Sequence, residues 1–235
     1  MMIGGQFLIN LRHNKYAMYK TLILAILLAL LLTACSNKPI KQGKITYAIS
    51  YLLPDSLSRY AAYLPTQAIV YFKGDSTVTI QQQGDEATTV ITYQPTSFLR
   101  VLLHSAAASY QVDYARSEQS TLLPAPLGYN YTAKNDSLSI AGYHASKYQI
   151  EDKGTGLQSE IWYSKKLALP VNYLTMPFDT TYGVAIKFTT KQNEIPVTTT
   201  LKEIKFEAVP DGVFSTPPGY HKLTPQQFKD MPVGN

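Results

Sequence analysis

The chain is predicted to be mainly β with a few short helices, and three observations carry that prediction. Short runs rich in Val, Ile, Thr, Tyr and Phe recur along it. Gly, Asp and Asn separate them at close intervals. Nowhere do the runs alternate with long stretches of helical period, as βαβ units require. A meandering antiparallel sheet follows.

The first run is Lys44 to Tyr51, whose β-branched and aromatic residues suit a pleated surface. Pro54 to Pro65 is the one segment of the body with helical texture. Asp55 or Ser56 is placed to cap it, Leu57, Tyr60, Ala61 and Leu64 fall on one face, and Pro65 stops it. A helix so short cannot stand alone, so its apolar face is expected to lie on the strands. Ala68 to Phe72 then runs to a turn at Lys73-Gly74-Asp75, and Thr77 to Ile80 to a turn at Gln83-Gly84-Asp85. Ala87 to Tyr93, Phe98 to His104 and the cleanly alternating Tyr110 to Ala115 continue the series. Later strands are expected at Tyr129 to Ala133, Leu138 to Ile140, Tyr143 to Glu151, Ser159 to Ser164, Val184 to Thr189 and Val197 to Ala208.

Two segments break the pattern. Leu123 to Gly128 carries two prolines and reads as an extended loop, and Lys165 to Tyr182 is long, partly apolar and weakly periodic. Connections of that length are usually functional or mobile. Near the end, Thr224 followed by Pro225 marks the start of a terminal helical turn.

The amino terminus is of another kind. Thr21 to Leu32 is an unbroken apolar core preceded by Arg12, Lys15 and Lys20 with no acidic residue, the charge order of a secretory signal. Twelve residues fall short of the roughly 20 that a membrane span needs. Leu32-Thr33-Ala34-Cys35 resembles the bacterial lipobox. That resemblance implies diacylglycerol on the Cys35 thiol, cleavage before it and acylation of the new amino terminus. Residues 1–34 are then a signal peptide, with Met18 an alternative start, 35–43 an acylated tether, and 44–235 a single domain.

Composition narrows the partners. Losing Arg12, Lys15 and Lys20 with the leader takes the formal charge from +5 to +2, too little to argue for nucleic-acid binding. The one cysteine leaves no intramolecular disulfide, so stability rests on packing.

No G-x-S-x-G elbow, H-E-x-x-H, P-loop or dinucleotide G-x-G-x-x-G is present. His104, His144 and His221 stand apart without ligand spacing and read as structural or solvated residues. No enzyme, metal or cofactor is therefore expected. The 18 tyrosines, against one tryptophan, fit ordinary antiparallel composition first and a carbohydrate-stacking platform second. Asp55-Ser56-Leu57, Asp75-Ser76-Thr77, Asp136-Ser137-Leu138 and Asp179-Thr180-Thr181 resemble the O-glycosylation motif of exported Bacteroidota proteins, with Ser56, Ser76, Ser137 and Thr180 as acceptors. Asp-Ser and Asp-Thr pairs are equally at home in turns and caps.

Two blocks resemble a family of Bacteroidota exported proteins of unknown function, often lipoproteins, whose fold is related to the outer-membrane lipoprotein carriers. The first is Ile140-Ala141-Gly142-Tyr143-His144-Ala145-Ser146-Lys147-Tyr148 with Glu160-Ile161-Trp162-Tyr163. The second is Val209 to Phe214 with Pro217-Pro218-Gly219-Tyr220. The resemblance implies a curved antiparallel sheet, nearly a half-barrel, whose concave face is partly filled by helices and can shelter acyl chains. Leu57, Tyr60, Leu64 and Trp162 would line such a space, the competing reading being that each is plain core. The expected function is non-covalent binding of a lipid, lipoprotein or other apolar ligand by a lipid-anchored envelope protein, most simply at the outer membrane facing the periplasm. The alternatives are a structural or interaction lipoprotein that docks on an envelope protein and, third, an envelope enzyme.

Overall fold

The computed structural model describes residues 42–119, 128–192 and 194–231. The signal peptide, Cys35, all of the tether except Gln42 and Gly43, and the Leu123–Leu127 part of the proline loop lie outside the described residues. From Gln42 onward the chain forms one large, open, curved and mostly antiparallel sheet.

Twelve strands build it: β1 Gln42–Tyr51, β2 Gln67–Lys73, β3 Ser76–Gln83, β4 Glu86–Tyr93, β5 Phe98–His104, β6 Ser109–Tyr114, β7 Tyr129–Ile140, β8 Tyr143–Asp152, β9 Gln158–Ser164, β10 Val184–Gln192, β11 Ile195–Lys205 and β12 His221–Leu223. Their order across the sheet is β12-β6-β5-β4-β3-β2-β1-β11-β10-β9-β8-β7. Two meanders thus meet in the middle. The first winds outward from β1 to β6, the second winds inward from β7 to β11, and β1 pairs with β11 from Lys44↔Lys205 to Tyr51↔Val197. A register shift between Thr46 and Tyr47 marks that seam.

Alternation sorts the side chains. Ile45, Tyr47 and Ile49 of β1 share a face with Ala68, Val70 and Phe72 of β2, Val90 of β4, Leu99 and Val101 of β5 and Val112 and Tyr114 of β6, all buried. Ile150, Ile161, Tyr163, Ala185 and Phe188 continue this inner face across the second meander. Each large side chain buried there contributes about 1.5–3 kcal/mol. Thr77 and Thr92, buried opposite each other, satisfy their hydroxyls mutually at 2.7 Å.

What covers the inner face is the segment predicted as a long, functional or mobile loop. Residues 165–182 pack onto it along much of its width: Leu167, Leu169 and Leu174 against the cluster around Tyr47, Phe178 and Tyr182 against β8 to β10, and Tyr173 against β5 and β6. An irregular segment can be buried only if its backbone finds partners. Here Asn172 supplies them. Its Oδ1 accepts from the Leu174 N–H at 3.0 Å, its carbonyl accepts from Thr175 N and Met176 N, and its own N–H donates to Thr175 Oγ1. The insert returns to the sheet at Gly183, where φ is +117° and a Cβ would stand 2.7 Å from the Ser164 carbonyl oxygen.

The predicted amphipathic helix is corrected. Asp55–Tyr63 is a 3₁₀ segment that buries none of its residues, and its amino end has no side-chain cap. Of the predicted face Leu57, Tyr60, Ala61 and Leu64, only Leu57 and Leu64 are half-buried, while Tyr60 and Ala61 are exposed. The tyrosines of the segment face largely outward, with Tyr60 45% and Tyr63 74% exposed. Two smaller differences concern strands. Tyr129 to Ala133 and Leu138 to Ile140 join into one strand across an irregularity between Ala133 and Ser137, and β1 begins at Gln42, inside the expected tether.

After β11 the chain passes to the outer face, where Phe214 and Tyr220 pack on Val78, Ile91 and Leu102. β12, too short to be predicted, adds parallel to β6. Helix α1, Pro225–Lys229, follows with the expected Thr224 cap, completed by Gln227 into a capping box. Its Phe228 packs against the inner-face cluster of β4 to β6. The carboxy-terminal chain therefore clasps the β6 edge from both faces. An ion-pair network locks the clasp: Arg100 binds Asp113 through Nε at 2.5 Å and Nη2 at 3.1 Å, Lys222 binds Asp113 at 3.1 Å, and Arg100 Nη1 donates to Thr216 at 3.0 Å.

Phe178→Ala is expected to destabilise the chain by about 3–5 kcal/mol, as for a buried aromatic, measured by urea unfolding; a shift near zero would show that the insert is not part of the core. Partial burial pushes the Asp113 carboxyl up, but bonding and attraction from Arg100 and Lys222 outweigh it and hold it below its ordinary 3.8. Its contribution is thus present above that value and lost as pH falls through the lower folded value. Asp113→Asn is expected to lower the urea midpoint at pH 7, with the difference from the native chain closing as pH falls through the lowered folded value.

Candidate functional site

The second meander and the insert enclose the most chemically distinctive region. β7, β8 and β9 set Tyr129, Tyr131, Tyr148 and Tyr163 on the inner face, since each lies an even number of residues from its neighbour or directly across the ladder. The insert adds Tyr182 and Phe178. Tyr182 stacks on Tyr131 at 4.6 Å between centroids and meets Tyr148 at 4.9 Å and Tyr163 at 5.7 Å, while Phe178 meets Phe188 at 4.8 Å. Such ring pairs add about 0.5–1.5 kcal/mol each beyond area burial. The insert is pinned at this point by the Asp179 backbone N–H, which donates to the Tyr131 hydroxyl at 3.0 Å. Asp179 Oδ1 in turn accepts from Thr181 N at 2.8 Å.

Between insert and sheet lies a cleft of about 220 Å³. Leu167, Leu169, Val171, Phe178, Val184 and Ala185 give it apolar walls, and Tyr163, Thr175, Asp179 and Thr180 add polar groups to its lining. The Tyr163 hydroxyl is buried and makes no hydrogen bond; Tyr131 lies beside it short of bonding geometry. Burial, reinforced by Tyr131, pushes its phenol far above the ordinary tyrosine range, so it remains a neutral donor at any physiological pH. Tyr47, at the middle of the same face, is similarly raised to about 12 by burial, offset in part by Asn172. An unpaired buried hydroxyl costs about 1–3 kcal/mol. Chemically the cleft can take a small, largely apolar group with one polar end.

The residues predicted to line a ligand space do not meet there. Leu57 and Leu64 are half-buried and Tyr60 exposed on the 3₁₀ segment. Trp162 is 7% exposed, on the face opposite its neighbour Tyr163, as strand alternation requires. It packs with Ile140 and Ala145, and Lys147 lies 5.7 Å over its ring. Lys147 is held there by Glu160 at 2.6 Å and Asp136 at 3.5 Å. Tyr163, one position on, had the same sequence context and only the alternation phase distinguishes the two. The insert residues carried no motif at all.

Of the four acceptor positions, Ser56, Ser137 and Thr180 are exposed and Ser76 is half-buried at the start of β3. Thr180 stands at the rim of the cleft. His104, His144 and His221 are all exposed. His104 Nδ1 shares a hydrogen bond with Ser109 Oγ at 2.7 Å, and none of the three forms an ion pair with a carboxylate among the described residues. No group of three or more His, Cys, Asp or Glu residues is gathered to hold a metal among the described residues.

Tyr163→Phe is expected to keep the fold and raise the thermal midpoint, because it removes a buried donor while keeping the ring; a lowered midpoint would mean that the hydroxyl is satisfied in solution.

No protein-family model and no curated protein matches the chain. It is similar to a solved structure of PNGF-II in the C2 space group at 14% sequence identity and a TM-score of 0.47, over 80% of this chain and 32% of that one. The chain thus spans about a third of the length of that structure.

Proposed function

We propose that this chain is a lipid-anchored protein of the cell envelope that binds an apolar ligand non-covalently beneath the insert formed by residues 165–182. The observation that carries the reading is a cleft walled largely by apolar side chains whose lining includes Tyr163, a residue with a buried hydroxyl that makes no hydrogen bond. At about 30 Å³ per water in the liquid, the cleft has room for roughly seven waters. That suits one short hydrocarbon segment, such as the end of an acyl chain, rather than a whole lipid. A buried phenol favours a ligand whose polar atom accepts one hydrogen bond, an ester or carboxylic carbonyl for example. The membrane is reached through Cys35, acylated after cleavage of the leader. Two or more acyl chains at about 0.8 kcal/mol per buried CH₂ hold such a protein firmly while its body stays in the aqueous space. The proposed location is the outer membrane, facing the periplasm.

A second reading has its own observation. β7 is a twelve-residue edge strand with one side of its ladder unpaired among the described residues, suited to strand addition by an envelope partner. Lys134 and Asp136 at its middle guard it against indiscriminate pairing.

Native mass spectrometry of the full chain extracted in detergent separates these readings. The apolar-ligand reading expects a non-covalent adduct that disappears in Ala168→Trp, which fills the cleft from its rim, while the covalent acyl mass on Cys35 persists. An unmodified Cys35 would overturn the anchor. A chain that carries no adduct yet crosslinks to a protein through β7 would overturn the ligand in favour of the partner. Further mass on Ser56, Ser76, Ser137 or Thr180 would report glycosylation in the same spectrum.

A further inference from the structure

A second concavity lies apart from the insert, where the inner face of the first meander emerges beyond the packed core. Its floor is a single cross-strand row: Gln81 of β3 pairs with Thr88 of β4, Thr88 with Leu103 of β5, and Leu103 with Tyr110 of β6. Neighbouring strands are about 4.8 Å apart, so the row is about 14 Å long. The 3₁₀ segment borders it with Tyr63 and Pro65, the end of the α1 segment with Met231, and the groove holds about 340 Å³.

The segment that forms this wall is tied down from the floor side. Gln83 Nε2 donates to the Ala62 carbonyl at 2.7 Å, which fixes the backbone next to Tyr63 while its ring remains 74% exposed. Gln83 therefore keeps its amide oxygen as an acceptor. His104 is likewise oriented by Ser109 through Nδ1, leaving Nε2 available. The lining thus offers amide, hydroxyl and imidazole groups between two tyrosine rings. Among the described residues it contains no Lys or Arg and one carboxylate, Glu86. A groove with that charge repels phosphate, sulfate and carboxylate ligands. A long hydrocarbon chain would strip Gln81, Gln83, Thr88 and Glu86 of water without replacing their hydrogen bonds, at a cost for each.

We infer that this groove binds a short neutral oligosaccharide, two or three rings laid along the Gln81–Thr88–Leu103–Tyr110 row. Hydroxyls meet the amides and Thr88, and the apolar face of a ring rests on Tyr63 or Tyr110, whose rings are flat, amphipathic and cheap to order. This site is independent of the cleft beneath the insert and shares no lining residue with it.

The test is a glycan array probed with the full detergent-extracted chain, followed by saturation-transfer NMR with maltotriose, cellotriose and chitotriose. The expected result is retention of neutral oligosaccharides, weakened at least tenfold by Tyr63→Ala and by Gln81→Ala. Circular dichroism should be unchanged in Tyr63→Ala, because that ring is mostly in solvent. Glu86→Gln should leave neutral-sugar binding within about threefold. Absence of any neutral-sugar signal, preference for acidic glycans, or binding indifferent to Tyr63→Ala would each overturn the inference. The apolar adduct seen by native mass spectrometry should be the same in Tyr63→Ala and in the native chain, so failure of one site does not decide the other.

Discussion

The ladder between β1 and β11 is the contact on which the rest depends. Every other antiparallel pairing joins strands adjacent in sequence, the longest connection being the insert between β9 and β10. β1 and β11 are separated by nearly the whole domain, and closing that loop carries the largest entropic cost in the sheet. Until it closes, two meanders exist side by side, each with an open central edge. Once it closes, Tyr47 sits between Leu201 and Ala68, and the inner face becomes one surface. Dependence on so distant a pairing predicts slow folding by the usual relation between contact order and rate.

A single sheet cannot bury both faces by itself, and this chain solves the problem without long helices. The inner face is covered by the insert, the outer face of β3 to β5 by the chain after β11, and each cover is irregular backbone. Irregular covers must solve their own hydrogen-bond accounting, which explains the Asn172–Thr175 turn and the Asp179–Tyr131 bond. Imperfect covers also leave gaps. The cleft at Tyr163 lies between a cover and the sheet and the groove at Tyr63 beyond the packed core, so the places with chemistry to offer are by-products of how the sheet is clothed.

Strand content was legible because period and turn residues act locally. Phe98–His104 matches its expected bounds, and the Gly74 and Gly84 turns stand where expected, with φ of +58° and +57°. The terminal cap at Thr224 was equally local and equally clear. The 3₁₀ segment misled because its spacing fits a helical face at 3.6 residues per turn, whereas its role is decided by whether the inner face is vacant. The insert was opaque for the same reason: Leu167, Asn172 and Phe178 have no period, and only the tertiary fit gives them meaning. Of the site, Trp162 and Tyr163 were both visible as aromatic strand residues, but the face each takes depends on register with β8 and β10, which one sequence does not disclose. The row Gln81, Thr88, Leu103 and Tyr110 is spread over four strands and exists only as a property of the ladder.

The clasp of β12 and α1 around β6 bears on association as well as stability. Edge-to-edge growth of sheets into fibres needs two open margins on every molecule, one to give and one to receive. Here one margin is closed by a three-residue parallel strand and a helix folded across it, and the long β7 margin is the one left available. Two copies can meet β7 to β7, but the pair then presents two clasped ends and growth stops. That asymmetry turns a polymerisation hazard into a process that terminates at two.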